Sequence, residues 1–244
     1  MKAGDPLSRI RVVLLRPSHP GNIGAAARAM KTMGLARLYL VRPKKFPDPE
    51  ARAMAAGAAE VLASARVCAD LDAALEGTHF SVAMSSRRRE LAHPPLAARA
   101  AARELASAAR RDEVAIVFGN ETVGLTNKEI MRCSALARIP ADPQYASLNL
   151  AQAVQVIAYE LRLAAPDPPA VPAKTRRATH EEIEKFFACL ERSVYASGFL
   201  DPRNPRKLMD RLRRLFARAR LERVEVNILR GMLAAWDDRG PNRK

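Results

Sequence analysis

Short apolar runs alternate along the first two thirds of the chain with segments whose apolar residues recur at helical spacing. This alternation is typical of βαβ units around a mostly parallel sheet. The predicted strands are Ile10–Leu15, Arg37–Val41, Phe80–Met84, Val114–Phe118 and Leu136–Ile139. The predicted helices are Asn22–Met33, Leu96–Arg110, Asn127–Arg132 and Leu148–Leu163, the third starting at a capping box of Thr126 and Glu129. The pattern therefore predicts an α/β fold.

The pattern changes after a proline-rich segment. Residues 165–174 hold four prolines and no apolar periodicity, which predicts an extended linker. Beyond it, Thr179 and Glu182 fit a second capping box. Helical spacing then follows in Ile183, Phe186, Phe187, Leu190 and Val194, and again in Leu208, Leu212, Leu215 and Phe216. We expect a core domain over residues 1–165, a linker over 166–180 and a helical module over 181–244.

The composition adds a strong basic excess. The 244 residues include 41 lysines and arginines against 26 aspartates and glutamates, a net charge of +15. Such an excess favours a polyanionic partner, either nucleic acid or an anionic membrane surface. No apolar run approaches the roughly 18 residues of a membrane span, and the N-terminus lacks a signal-peptide core. The three cysteines and four histidines are too scattered for a disulfide framework or a metal site. These features predict a cytoplasmic protein that binds no metal and no membrane.

The first candidate for chemistry is the glycine-bearing segment 17–28, which follows the first predicted strand. Gly21 and Gly24 suit close approach of the backbone to a phosphate or cofactor. A tight turn with Arg28 in a surface ion pair is the structural alternative. The G-x-G-x-x-G and Walker A spacings are missing, and the second strand ends in Arg42-Pro43-Lys44-Lys45 instead of a ribose-binding acid. A nicotinamide or nucleoside triphosphate enzyme is therefore disfavoured.

Two further segments follow later strands. In residues 116–127, Glu121 lies in a turn after a buried strand, where a carboxylate usually caps a helix. In residues 142–152, Ser147 is the expected N-cap of the next helix and Asn149 lies in its first turn. Each segment alone is weak evidence for a function.

Together, the order and spacing of these segments resemble the SpoU branch of the SPOUT methyltransferases, the TrmH superfamily of RNA 2′-O-ribose methyltransferases. Motif 1 resembles residues 22–28, motif 2 residues 118–125 and motif 3 residues 147–154. Similarity over 29–35, 151–160 and 212–231 extends the resemblance to enzymes that methylate the ribose of nucleotide 32, cytidine or uridine, in the tRNA anticodon loop. An rRNA methyltransferase of the same superfamily and a nonenzymatic RNA-binding protein on the same fold are the alternatives.

The resemblance implies a SPOUT domain with a trefoil knot and a mostly parallel sheet, a homodimer, and S-adenosylmethionine as cofactor. Glycine at position 119 then suits a cofactor that lies against the backbone. By position in the motifs, the residues expected to bind the cofactor are Met84, Ser85, Ser86, Gly119, Ile139, Ala146, Ser147 and Leu148.

The resemblance also assigns the catalytic role to Arg28. Because a guanidinium stays protonated in proteins, we expect Arg28 to hold phosphate and the developing alkoxide first, and to act as a literal base only second. His19 is an alternative base, against its interpretation as a turn histidine between two prolines. The residues expected to position Arg28, the ribose and the motif 1 loop are Glu121, Ser147, Asn149 and Asn22.

Two basic runs are the expected contacts to tRNA. Runs of charge are usually solvated faces, but beside an RNA methylation site phosphate contact is favoured. The residues are Arg87, Arg88 and Arg89 after the third predicted strand, and Arg213, Arg214 and Arg218 in the helical module.

Overall fold

The computed structural model describes residues 5–87, 94–165, 176–201 and 207–237. The chain divides into two compact units, Met1–Ala170 and Val171–Lys244. No described helix is long and apolar enough to cross a bilayer.

A parallel sheet forms the centre of the first unit. Among the described residues it has seven strands in the order β3-β2-β1-β6-β4-β7-β5, and every pairing is parallel. The strands are β1 (Ile10–Leu15), β2 (Arg37–Val41), β3 (Arg66–Cys68), β4 (Phe80–Met84), β5 (Leu96–Ala97), β6 (Val114–Phe118) and β7 (Ala135–Arg138).

Helices cover both faces of this sheet. They are α1 (Pro20–Thr32), α2 (Pro49–Ala55), α3 (Ala59–Ala63), α4 (Leu71–Leu75), α5 (Ala98–Ala109), α6 (Asn127–Met131) and α7 (Leu150–Ala164). Every residue of β1, β4 and β6 is buried, because alternate side chains pack into two separate cores. Val12 belongs to the core with α1, α5 and α7, whereas Val13 belongs to the core with α4 and α6.

The start of α7 differs from the prediction. Ser147 is not the N-cap, because the Oδ1 of Asn149 accepts hydrogen bonds from the backbone N–H groups of Ala151 and Gln152 at 2.9 and 3.4 Å. The helix therefore begins at Leu150. The predicted helix Leu96–Arg110 is also shorter, since its first two residues form β5. The capping box of Thr126 and Glu129 at α6 is confirmed.

The second unit consists of helices α8 (His180–Ala196), α9 (Leu208–Ala219) and α10 (Arg223–Asp237). The predicted capping box of Thr179 and Glu182 starts α8. Phe186 and Phe216 pack edge to face with ring centroids 4.9 Å apart in the core of the unit. Residues before 181 join this unit: Ala178 is buried, and Arg177 pairs with Glu222. The end of the predicted linker, residues 176–180, is thus part of the helical unit.

Candidate active site

The loops that carry the three motifs meet at one edge of the sheet. Leu14 of β1 pairs with Phe118 of β6, which also pairs with Met84 of β4. Because all these strands are parallel, the segments that follow them emerge on the same side. This is the edge where open α/β sheets bind their ligands.

Glu121 holds the segment that leads into α1. Its Oε2 accepts hydrogen bonds from the N–H and the Oγ of Ser18 at 2.9 and 2.8 Å. Its Oε1 accepts from Nδ2 of Asn22 at 3.0 Å and from the N–H of His19 at 3.3 Å. The carboxylate thus satisfies free donors at the N-terminus of a helix one hundred positions away, where a negative charge is also favourable.

These donors keep Glu121 ionised. Burial alone would raise the pKa of this carboxyl, but the hydrogen bonds from Asn22 and Ser18 outweigh burial and lower the pKa to about 2. A carboxylate with so low a pKa is a poor proton acceptor at neutral pH. Glu121 is therefore suited to positioning and not to general base catalysis.

Asn22 links Glu121 to the third motif. While its Nδ2 donates to Glu121, its Oδ1 accepts a hydrogen bond from Nδ2 of Asn149 at 2.9 Å. The predicted positioning residues Asn22, Glu121 and Asn149 are thus joined in one chain of hydrogen bonds.

Beside this chain lies an open cavity of about 740 Å³, including its mouth. Glu121 is part of its wall. Every residue that the sequence assigns to cofactor binding lines the cavity: Met84, Ser85, Ser86, Gly119, Ile139, Ala146, Ser147 and Leu148.

The structure gives a reason for glycine at position 119 that the sequence did not predict. A Cβ there would lie 2.3 Å from the carbonyl carbon of Gly124 and 2.4 Å from the backbone nitrogen of Leu125. The loop closes on itself at this point, with a backbone bridge between Asn120 and Gly124. Glycine is thus required by the protein's own turn, before any ligand is considered.

Gly24 is likewise required by packing. A Cβ at this position would lie 2.0 Å from the carbonyl oxygen of Ala51 in α2. Gly24 therefore allows α1 and α2 to pack close together. It does not serve the expected approach of a phosphate to the glycines of motif 1.

Two predicted catalytic residues lie outside the hydrogen-bonded chain. Arg28 is exposed on α1 and is absent from the cavity wall; no described residue forms a hydrogen bond or ion pair with its side chain. The surface ion pair considered for Arg28 is thus not found among the described residues. Ser147 is exposed on the cavity wall. His19 is exposed directly before α1, where its side chain does not cap the helix.

Asn120 is a further site residue, which the sequence pattern did not predict. Its Nδ2 donates to the carbonyl oxygen of Arg16 at 2.8 Å, and its Oδ1 accepts from the N–H groups of Thr122 and Val123 at 2.9 and 3.2 Å. Asn120 therefore joins the turn of motif 2 to the end of β1. Its position between Gly119 and Glu121 in a turn is the signal that could have found it.

Of the predicted RNA contacts in the first unit, Arg87 lies at the cavity. Its Nη2 donates to the carbonyl oxygen of Thr122 at 3.2 Å, and its side chain is exposed. Arg88 and Arg89 lie outside the described residues.

In the helical unit, Arg213 differs from the two other predicted RNA contacts. It forms two hydrogen bonds with Glu184, of 2.7 and 2.8 Å, and its guanidinium lies 4.2 Å from the ring centre of Phe187. Its side chain is only 17% exposed. Arg213 therefore stabilises the packing of α8 against α9, and its predicted RNA contact is not supported. Arg214 is partly exposed and Arg218 is exposed, and no described residue pairs with either.

The chain matches the SpoU rRNA Methylase family over residues 9–159. With the parallel sheet and the three joined motifs, this match defines a SPOUT-fold methyltransferase, and the chain belongs to the SpoU methylase family. The resemblance noted in the sequence is thereby confirmed. Residues 181–244 match the C-terminal domain of tRNA methyltransferase TrmJ.

Similarity to TrmJ proteins extends over both units. The tRNA (cytidine/uridine/adenosine-2′-O-)-methyltransferase TrmJ of Pseudomonas aeruginosa is 47% identical over 239 residues, 93% of either chain. The tRNA (cytidine/uridine-2′-O-)-methyltransferase TrmJ of Escherichia coli K12 is 45% identical over 98% of this chain and 99% of its own. The crystal structure of TrmJ from Z. mobilis aligns with a TM-score of 0.82 and 31% identity over 93% of this chain and 98% of that one.

Proposed function

We propose that this protein transfers a methyl group from S-adenosylmethionine to a ribose 2′-hydroxyl of tRNA, at nucleotide 32 of the anticodon loop. The observation that carries the proposal is the set of hydrogen bonds that joins Glu121, Asn22 and Asn149. These residues lie beside a cavity lined by all the residues assigned to cofactor binding. Similarity to the tRNA (cytidine/uridine-2′-O-)-methyltransferase TrmJ of Escherichia coli K12 over both units supports tRNA as the substrate, with cytidine or uridine as the base. The name of the relative in Pseudomonas aeruginosa adds adenosine.

The cavity residues fit the proposed cofactor. Ile139 and Leu148 offer apolar surface for the adenine ring, and the hydroxyls of Ser85, Ser86 and Ser147 offer partners for polar groups. When bound there, S-adenosylmethionine supplies a methyl group on a sulfonium, which needs no further activation. The protein must then align the 2′-hydroxyl with this methyl group and assist the loss of the hydroxyl proton.

Arg28 is the residue proposed to stabilise the charge that develops on the ribose oxygen. Its side chain is exposed and has no carboxylate partner among the described residues, so its full charge is available to RNA. A positive charge near an oxygen that loses its proton stabilises the negative charge that develops there and lowers the barrier. Asn22 and Asn149 keep the start of α1 and the start of α7 in register around the site.

The proposal includes a homodimer that acts on tRNA in the cytoplasm. On α7, Tyr159 is 49% exposed and Leu163 is 54% exposed, one helical turn apart. A second copy of the chain would remove this apolar surface from water, as the family resemblance implies.

The test is transfer of labelled methyl groups from S-adenosylmethionine to bulk tRNA, followed by mapping of the modified nucleoside. Wild type, Arg28→Ala and the control Arg103→Ala are compared. Arg103 is an exposed arginine of α5 that no described residue pairs with. We expect a 2′-O-methyl group at nucleotide 32 with wild type and the control, and none with Arg28→Ala, while cofactor affinity is equal in all three.

Three outcomes would contradict parts of the proposal. Label in rRNA instead of tRNA would overturn the substrate, and failure to bind S-adenosylmethionine would overturn the enzymatic role. If Arg28→Ala kept more than a tenth of the wild-type rate, Arg28 would lower the activation barrier by less than about 1.4 kcal/mol. That contribution is too small for its assigned role.

A further inference from the structure

A second basic element lies at the same edge of the sheet as the motif loops. It is the segment Arg42-Pro43-Lys44-Lys45, which follows β2 and which we name the basic loop. In the sequence, this segment stands where a dinucleotide site would have its ribose-binding acid. Because β2 pairs in parallel with β1, through Leu15 and Val41, the basic loop emerges beside the segment that leads into α1.

The basic loop is tied to the candidate active site through the backbone. The N–H of Lys44 donates to the carbonyl oxygen of Pro17 at 3.0 Å. The next residue, Ser18, is held by Glu121 through two hydrogen bonds. The loop is thus linked, through Pro17 and Ser18, to the carboxylate that organises motif 1.

Its positive charges are available to a ligand. Arg42, Lys44 and Lys45 are exposed, and no described residue forms an ion pair with any of them. Arg42 uses only its Nε, which donates to the carbonyl oxygen of Ala69. The next acid along the chain, Asp48, is occupied as the N-cap of α2.

Arg16, at the matching position after β1, shows the contrast. Both residues have a positive φ, 50° for Arg16 and 47° for Arg42, a conformation that is costly for side chains of this size. Arg16 forms a two-point ion pair with Glu129, so its charge is neutralised within the protein. Arg42 has no such carboxylate among the described residues.

We propose that Arg42, Lys44 and Lys45 form a binding site for backbone phosphates of the RNA substrate, next to the nucleotide that is methylated. The inference rests on the proposed function, because it takes RNA as the ligand. Lysines and arginines held beside a reaction site without internal partners are the usual means of fixing the register of a nucleic acid. Their contacts carry no sequence preference, so they add affinity and position without selecting the base.

The test measures tRNA affinity of the full-length chain as a function of salt concentration. The variant is Lys44→Ala with Lys45→Ala, and Arg103→Ala is the control for loss of positive charge elsewhere on the unit. Each lost phosphate contact lowers the slope of log K against log salt by about 0.7 to 0.9. We therefore expect the slope to fall by about 1.4 to 1.8 in the double variant, with unchanged affinity for S-adenosylmethionine as evidence of folding, and a change below about 0.3 in the control.

The outcome separates this inference from the proposed function. The salt slope is measured from tRNA binding and does not require methyl transfer. A wild-type protein that binds tRNA without methylating it would therefore contradict the proposed function. The slope of the double variant would still show whether the basic loop binds phosphates. A double variant whose slope equals that of wild type would overturn the assignment of phosphate binding to the loop.

Discussion

The side-chain amide of Asn149 donates a hydrogen bond of 2.9 Å to Oδ1 of Asn22, and this bond has a fixed direction. Glu121, with a pKa of about 2, is ionised at neutral pH and can only accept. Asn22 must therefore turn its NH₂ group to Glu121 and its carbonyl oxygen to Asn149. Asn149 must then donate, which leaves its own oxygen free to cap α7.

Because the bond has this direction, we expect Asn149→Asp to reduce activity more strongly than stability. Aspartate caps helices as well as asparagine does, and its charge suits a helix N-terminus. It cannot donate to Asn22, however, so two oxygens face each other and the start of α7 moves away from α1. We expect methyl transfer to fall at least tenfold, a barrier increase of about 1.4 kcal/mol, while the retained cap keeps the loss in free energy of unfolding smaller than in Asn149→Ala.

Asn149→Ala is the comparison, because it loses the cap as well. Removal of an asparagine N-cap costs about 1 kcal/mol. Urea unfolding and the methylation rate of both variants check the prediction, and an Asn149→Asp enzyme of wild-type activity would refute the directional chain.

Glu121→Gln is predicted to destabilise the protein in a pH-dependent way. The pKa of Glu121 is about 2 in the folded chain against an ordinary 4.5, so its contribution is present above about pH 4.5 and is lost as the pH falls towards 2. For this half-exposed group, screened by solvent, we expect a loss of about 1 to 2 kcal/mol at pH 7. Urea unfolding at pH 7, 5 and 3.5 should show the gap between wild type and variant closing. A gap that is the same at all three pH values would count against the ionised network.

Replacement of glycine by alanine is expected to have opposite effects on stability at positions 119 and 231. Gly119→Ala places a Cβ within 2.4 Å of backbone atoms in its own loop, which cannot yield without reopening the turn. We expect a loss of more than about 3 kcal/mol or failure to fold. Gly231→Ala, within α10, meets nothing within 4 Å and should stabilise the helical unit by about 0.5 to 1 kcal/mol. Thermal unfolding of both variants checks the pair, and a Gly119→Ala protein as stable as wild type would be inconsistent with the closed loop.

The buried strands could be predicted because burial leaves a direct trace in the sequence. β1, β2, β4 and β6 have the predicted bounds, since strands covered on both faces are continuous apolar runs. The two strands that were missed, Arg66–Cys68 and Leu96–Ala97, have three and two residues. Runs of that length carry no periodicity, and they form strands only because a neighbouring strand offers free backbone groups.

The site was predictable in its members but not in its connections. The motif residues could be identified from their resemblance to a family, yet the direction of the Asn22–Asn149 bond depends on a carboxylate about one hundred positions from Asn22. The closed turn that requires Gly119 and the buried pairing of Arg213 with Glu184 also depend on contacts that only the folded chain makes. Neither composition nor spacing contains that information.

The arginines of α9 give the last prediction, because neighbouring residues with the same side chain have different partners. Arg213 is held by Glu184 and lies over Phe187, so Arg213→Ala should destabilise the helical unit by about 2 kcal/mol. Arg214 and Arg218 have no described partner, and their replacement by alanine should leave stability within about 0.5 kcal/mol of wild type.

RNA binding should follow the opposite order. Arg214→Ala with Arg218→Ala removes two charges that are free to contact phosphates, which should lower the salt slope of tRNA binding by about 1.4 to 1.8. Arg213→Ala, measured at a temperature where the unit remains folded, should leave that slope unchanged, because its charge is already neutralised by Glu184. Thermal unfolding and salt titrations on the three proteins separate the two roles. Equal slopes for wild type and the double variant would mean that Arg214 and Arg218 do not contact RNA and only face solvent.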